Sequence, residues 1–247
     1  MRGFGSGQTL VLFTKQLPAP VRALLRIFFH LLYHQFAFAY DMVAAAVSFG
    51  RWNDWILEVV SFIKGTQVLE IGHGPGHLQR VLLSRNLVAI GMDESAPMSR
   101  LAKRRLTETT PPISKIKTSP SKPNRSQSGY AQINLARGIA QQLPFRDEAF
   151  DTIVATFPSE YFVDPVTMSE AGRCLSNGGR FVVLPIALPK NRFLSWLYQV
   201  TGQAPSAALK GIQEKLQEPF VESGFEVETH VLDVQSGMLI IIVAKKK

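Results

Sequence analysis

The sequence predicts an α/β fold, a mostly parallel seven-stranded sheet closed by an antiparallel hairpin at its C-terminal end. Three observations carry this. Short apolar runs of strand length alternate with segments of helical period from Thr66 onward. A glycine turn directly follows the first run. The last two runs are separated only by Gln235-Ser236-Gly237, a connection too short for anything but a hairpin.

The elements follow in order. Trp52–Ile63 has helical character and ends before Gly65; Thr66–Ile71 is a short apolar strand, and Gly72–Gly76 is the turn. His77–Arg85 returns to helical spacing, Leu87–Met92 is a second strand ending at Asp93, and Ser95–Arg105 is a helix with Ser95 as its N-cap. Thr107–Gly129 breaks the rhythm. It is rich in Pro, Ser, Thr and Lys and reads as a disordered surface insert between a helix and the next strand. Strands follow at Tyr130–Arg137 and Ala149–Thr156, then a helix at Pro165–Leu175, a turn at Asn177-Gly178-Gly179 and a strand at Arg180–Pro185. Phe193–Val200 and Ala207–Ser223 are helical, and Phe225–Val234 and Met238–Ala244 form the hairpin, with one reversed strand expected at the sheet edge. Residues 1–50 are a tail and an apolar helix; residues 51–247 are the α/β domain.

Composition removes several function classes. At 247 residues with 46% hydrophobic and 19% charged residues, the chain buries a full core and is not disordered throughout. Its one cysteine, Cys174, excludes a disulfide framework and a cysteine-rich zinc site. His30 and His34 lie four apart but have no third ligand nearby, so no metal site is expected. The net charge of +8 is unevenly spread. Residues 100–125 hold Arg100, Lys103, Arg104, Arg105, Lys115, Lys117, Lys122 and Arg125 against Glu108 alone, and the first 36 residues carry four cations and no acid. The chain ends on Lys245, Lys246 and Lys247, so the remaining body is mildly acidic. A nucleic-acid enzyme would place its basic residues around a cleft, interleaved with aromatics, so a nucleic-acid partner is not expected. Basic appendages fit weak contact with an anionic membrane surface, or solubility.

No secretory signal is present in this reading, because the early apolar run Leu10–Phe13 is too short; a cytoplasmic location is expected. In Pro18–Gly50, Arg22, Arg26, His30 and His34 make one narrow polar stripe on an otherwise apolar helix. Two readings stand for it: a lid packed on the domain, or an interfacial helix that holds the protein peripherally on a bilayer.

The turn Glu70-Ile71-Gly72-His73-Gly74-Pro75-Gly76 lies after a strand and before a helix. Glycines omit Cβ atoms, so a ligand can rest against the backbone at a strand's carboxyl end, and helix-start amides face it. Asp93, ending the next strand, stands where a carboxylate accepts ribose hydroxyls. A dinucleotide fingerprint would need glycine where His77 stands, and the Gly-Lys-Ser/Thr of a P-loop is absent. An acid two residues before the first glycine suits a ligand with an ammonium group, favouring an amino-acid nucleoside over a pyrophosphate. The plainer alternative is a turn that only tightens strand–helix packing. His73 and His77 read from the residues alone as partly exposed loop and helix positions.

VLEIGHGPGHL (68–78), GMDES (91–95), ARGIAQQLPFRDEAFDTIVATF (136–157) and EAGRCLSNGGRFVVL (170–184) together resemble the class I S-adenosylmethionine-dependent methyltransferases. The segment YDMVAAAVSFGRWNDWILEVV (40–60) is similar to the opening of their quinone-biosynthesis C-methyltransferase branch. The resemblance implies a Rossmann-like three-layer sandwich and S-adenosylmethionine as cofactor. It implies that Glu70, Gly72, His73, Gly74 and Gly76 line the methionine and ribose, and that Asp93 binds the ribose hydroxyls. Glu94, Met98, Ile139, Ala140 and Gln141 would surround the adenine, and Thr156 and Phe157 would face the transferring methyl. Many members carry an acid where this chain has Ile139. Tyr40, Asp41, Glu160 and Tyr161 are the candidates for a general base. The abundance of Phe and the apolar amino-terminal helix favour a small, apolar or lipid-like acceptor. The alternatives are a nucleic-acid methyltransferase, which the acidic body and the segment Thr156-Phe157-Pro158-Ser159 oppose, and a non-catalytic cofactor-binding protein of the same fold.

Overall fold

The computed structural model describes residues 51–109, 133–189 and 205–247. The expected helices within 18–50 and at Phe193–Val200, and the expected insert from 110 onward, lie outside them. Helix α1 (Trp52–Glu58) continues as a 3-10 turn (Val59–Phe62) and leads into β1 (Gln67–Ile71). Then come α2 (His77–Ser84), β2 (Val88–Asp93), α3 (Ala96–Thr109), β3 (Asn134–Arg137) and β4 (Phe150–Thr156). A 3-10 turn (Glu160–Val163), α4 (Pro165–Cys174), β5 (Leu175–Pro189), α5 (Pro205–Glu222), β6 (Glu226–Val234) and β7 (Gly237–Lys245) complete it.

The seven strands form one sheet in the order β3-β2-β1-β4-β5-β7-β6. β1 to β5 pair in parallel, and β7 runs antiparallel to both β5 and β6. This corrects one expectation: the reversed strand is not at the edge. The hairpin forms as read, but β7 is its inner arm and β6 the edge. The arms differ in what they can bury. β7 carries the run Leu239–Ala244, buried at every position, whereas β6 (EVETHVLDV) puts charged and polar residues among its apolar ones. An interior strand is covered on both faces, so the more apolar arm takes that place.

Alternation along β1 sends Val68 into one core and Leu69 and Ile71 into the other. The first core packs Trp55, Ile56, Leu78 and Leu82 from α1 and α2; the second packs Met168, Leu216 and Phe220 from α4 and α5. Helices therefore cover both faces, making the three layers. Capping sets the helix starts. Ser95 Oγ accepts from Met98 N at 3.4 Å, and Asp164 caps α4 by accepting from Val166 N at 2.9 Å, with Pro165 opening the helix. α3 runs to Thr109, beyond its expected end at Arg105 and into the start of the expected insert. The Asn177-Gly178-Gly179 turn is a looped-out bulge within β5, where the β4 partner jumps from Leu175 to Arg180 and Gly178 has φ +73°.

Strand order reverses between β1 and β4, which opens a crevice at their carboxyl ends. Ile71, Asp93 and Thr156 all end strands there.

Candidate functional site

A small open cleft lies at this crevice. It is lined by Glu70, Gly72, His73, Gly74, Pro75, His77 and Leu78 from the turn region, and by Trp52, Ile56 and Thr156. The turn beneath it is held in left-handed backbone at three glycines, with φ +72° at Gly72, +51° at Gly74 and +84° at Gly76. The glycines serve two different ends. A Cβ at Gly72 would stand 2.6 Å from Tyr161 Oη, and one at Gly76 would stand 3.0 Å from Ala102 Cβ. At Gly74 a Cβ would meet no protein atom within 4 Å. Gly72 and Gly76 thus let the turn pack onto its neighbours, while Gly74 presents bare backbone to the cleft.

Asp93 braces this backbone. Its Oδ2 accepts from Gly74 N at 2.8 Å and its Oδ1 from Ser95 N at 2.7 Å. Each oxygen retains a lone pair for a further donor. Tyr161 supports the turn from behind, its hydroxyl donating to Ile71 O at 3.0 Å.

Two titratable groups are buried here. Glu70 is 1% exposed and accepts from Gln79 Nε2 at 2.8 Å. Burial pushes its carboxyl from the ordinary 4.5 up to about 8; the Gln79 bond opposes this and the nearby Asp93 adds to it. His73 is 3% exposed, which corrects the reading of it as a partly exposed loop residue; His77 is half-buried as read. The His73 Nδ1–H donates to Gly74 O at 2.8 Å, leaving Nε2 to face Ser99 Oγ at 3.4 Å. Burial holds its pKa below 6.5, although Asp93 and the Gly74 carbonyl pull the other way.

The cleft residue Trp52 is backed by other rings. Phe157 follows β4 with φ +48°, a conformation costly for a bulky side chain. Its ring stacks on Trp52 at 4.0 Å between centroids and 29° between planes, with Trp55 tilted at 6.4 Å.

The sequence and fold match known proteins. Residues 69–183 match the family model described as a methyltransferase domain. The chain is 31% identical over 172 residues to a demethylmenaquinone methyltransferase of Symbiobacterium thermophilum, covering 66% of this chain and 61% of that protein. It is 26% identical to the demethylmenaquinone methyltransferase of Thermotoga maritima, covering 68% and 66%. The chain thus spans less than two thirds of the length of these relatives. Its fold resembles that of phosphoethanolamine N-methyltransferase 2 from Haemonchus contortus in complex with S-adenosyl-L-methionine, with a TM-score of 0.56, 16% identity and coverage of 88% of this chain and 59% of that one. Sequence and fold together support a likeness to the class I S-adenosylmethionine-dependent methyltransferases.

Around the cleft the expected residues fall into groups. Glu70, Gly72, His73, Gly74 and Thr156 line the cleft; Gly76 closes the turn onto α3, and Asp93 reaches it through Gly74 N. Met98 and Ala140 are buried, Glu94 is exposed and Ile139 is 44% exposed. Gln141 Nε2 donates to Asp164 Oδ2 at 2.9 Å, tying its loop to the start of α4. Arg173 holds the same loop, donating to Leu143 O at 3.0 Å and Phe145 O at 2.7 Å while paired with Glu170 and Asp147. Phe157 stacks on the cleft residue Trp52, and Glu160 lies in the 3-10 turn after β4; Tyr40 and Asp41 lie outside the described residues.

Sequence reasoning missed Trp52, Ile56, Gln79 and Ser99. Trp52 and Ile56, four apart at the start of one helix, share a face and could have been paired. Gln79 is an amide on the inner face of α2, beside the core residues Leu78 and Leu82, a position an apolar residue would ordinarily fill. Among the described residues no group of three or more His, Cys, Asp or Glu could hold a metal, and no helix is long and apolar enough to cross a membrane.

Proposed function

We propose that this protein transfers the methyl group of S-adenosylmethionine to a small, apolar or lipid-like acceptor of the quinone type. The observation that carries this reading is the open backbone at Gly74 braced by Asp93: a sugar bearing two hydroxyls can lie on it without displacing a side chain. The buried Glu70 supports it, since its surroundings offer an amide and a second acid, so a ligand ammonium would be its compensating charge. The residues present therefore fit the cofactor. Glu70 would receive the ammonium, the Gly72–Gly74 backbone the methionine and ribose, and Asp93 the ribose hydroxyls. Glu94, Met98, Ile139, Ala140 and Gln141 would border the adenine, and Thr156 and Phe157 the methyl end. Exposed Ile139 offers the adenine apolar contact in place of an acid's hydrogen bond.

When bound, S-adenosylmethionine supplies a methyl group already activated on a sulfonium. The chain's own residues then have to align and to exclude water, and alignment of this kind contributes roughly 7–11 kcal/mol. Trp52, Ile56 and Phe157 give the methyl end an apolar wall suited to a ring or prenyl group. Tyr40, Asp41 and Glu160 remain the candidate bases for an acceptor that must lose a proton. The names of the demethylmenaquinone methyltransferases support a quinone-type ring. We read residues 51–247 as the methyltransferase unit and 1–50 as an appended segment that covers the cleft or contacts an anionic membrane from the cytoplasmic side.

Labelled methyl transfer from S-adenosylmethionine into separate pools of lipid extract, polar small molecules and RNA tests the reading. Label in the lipid pool alone is expected. Label in RNA would overturn the acceptor class, and no label in any pool would favour a cofactor-binding protein without turnover. Liposome sedimentation with and without residues 1–36 decides between lid and membrane contact.

A further inference from the structure

Gln79 is 1% exposed and lies on α2 directly against the end of β1, where its Nε2 donates to Glu70 Oε2 at 2.8 Å. The strand on the other side makes room for it. A Cβ at Gly91 of β2 would stand 3.0 Å from Gln79 Cδ and 3.1 Å from His73 Cδ2, so β2 carries no side chain where these polar groups pack. A buried amide in an apolar helix face costs stability unless it is bonded, and this one is bonded to a carboxyl at the floor of the cleft. We propose that Gln79 is a positioning residue that holds the Glu70 carboxyl by one oxygen and turns it toward the ammonium group of the amino-acid nucleoside. This rests on the function proposed above and deepens it.

A proton linkage follows. The groups facing Glu70 are Gln79 from α2, Asp93 from β2, His73 from the turn and His77 at the start of α2; Trp52 and Ile56 from α1 and Thr156 from β4 add no charge. Burial places the carboxyl near 8, so in the free protein at pH 7 it holds its proton. His73, lowered below 6.5, stays neutral above that pH. Seating an ammonium against Glu70 converts its carboxylic acid to a carboxylate and releases one proton to solvent. Below about pH 8 affinity therefore rises with pH, by up to tenfold per unit. Well above it, the ligand's own amino group loses its charge and affinity falls; beside a free carboxylate that amine is more basic than a peptide N-terminus, whose pKa is about 7.7–8.0.

The probe is S-adenosylhomocysteine, whose ammonium is its only cation. Calorimetric titration of the full chain from pH 6.5 to 9.5, in buffers of different ionisation heat, is expected to give an affinity that rises up to about pH 8 and then levels off. It should also show close to one proton released at pH 6.5. Gln79→Leu removes the donor that favours the carboxylate, so its acid arm should move to higher pH and its affinity at pH 7 should fall about tenfold or more. Glu70→Gln, of matching shape, should lose the acid arm and the proton release together. Wild-type protein that binds at no pH would overturn the proposed function itself. Binding without proton release, or a Gln79→Leu profile superimposed on the wild type, would overturn the positioning role and leave that function standing. If Gln79→Leu does not fold, Gln79→Met, closer in length and likewise without the donor, should show the same shift of the acid arm to higher pH, and a wild-type profile there would overturn the role.

Discussion

The two walls of the cleft are built on different principles. One is made of backbone and charge: three left-handed glycines, the amides of Gly74 and Ser95, and the carboxyls of Asp93 and Glu70. The other is made of apolar side chains of α1, Trp52 and Ile56, with Phe157 from after β4 stacked on Trp52. Bare backbone and a carboxylate fixed by two amides suit one set arrangement of hydroxyls and charge. Stacked rings offer area without fixed donors and accept a range of apolar shapes. In the proposed reaction the first wall suits the constant cofactor and the second the variable acceptor.

Substitutions separate the walls and the glycines within them. The largest effect is expected at Gly76. Valine there combines a φ of +84° with a Cβ 3.0 Å from Ala102 Cβ and 3.3 Å from Ala102 Cα, and should cost about 3 kcal/mol or more in thermal or denaturant unfolding. Gly74→Val, at φ +51° with open space, should cost only about 1–2 kcal/mol in strain. It should nonetheless weaken nucleoside binding far more than its stability loss implies; unchanged affinity would remove Gly74 from the site. Next is Asp93→Ala, which leaves the Gly74 and Ser95 amides without their acceptor. Bonds to a charged acceptor are worth about 1.5–3 kcal/mol, so S-adenosylhomocysteine affinity should fall at least tenfold, with a lower melting temperature.

Smaller changes are expected on the aromatic side. Phe157→Ala removes a ring pair worth about 0.5–1.5 kcal/mol beyond its buried area. It should raise the acceptor KM while leaving cofactor affinity near the wild-type value; an equal loss of both would show that the walls act as one. Smallest is Tyr161→Phe, which removes one bond to Ile71 O and should cost about 1 kcal/mol in stability with a modest loss of rate. A fall in kcat of about 100-fold or more would instead make Tyr161 the general base.

Local chemistry was readable wherever it depends on neighbours in the chain. The turn 70–76 is legible because close backbone approach demands glycine at set spacings after a strand, and the Ser95 cap because it serves its own helix. The hairpin is legible because two residues, Gln235 and Ser236, leave its strands no other pairing. What the sequence by itself determined is therefore the alternation of elements, the glycine turn and the acid that follows the second strand. Tertiary structure alone decided the rest. It buried His73, through Ser99 and the missing side chain of Gly91. It made β7 rather than β6 the inner strand, brought Tyr161 under Gly72, and set Gln79 against Glu70. The physical reason is the same in each case: burial and partnership are properties of the space between elements, and a residue's own neighbours in sequence do not determine what packs across that space.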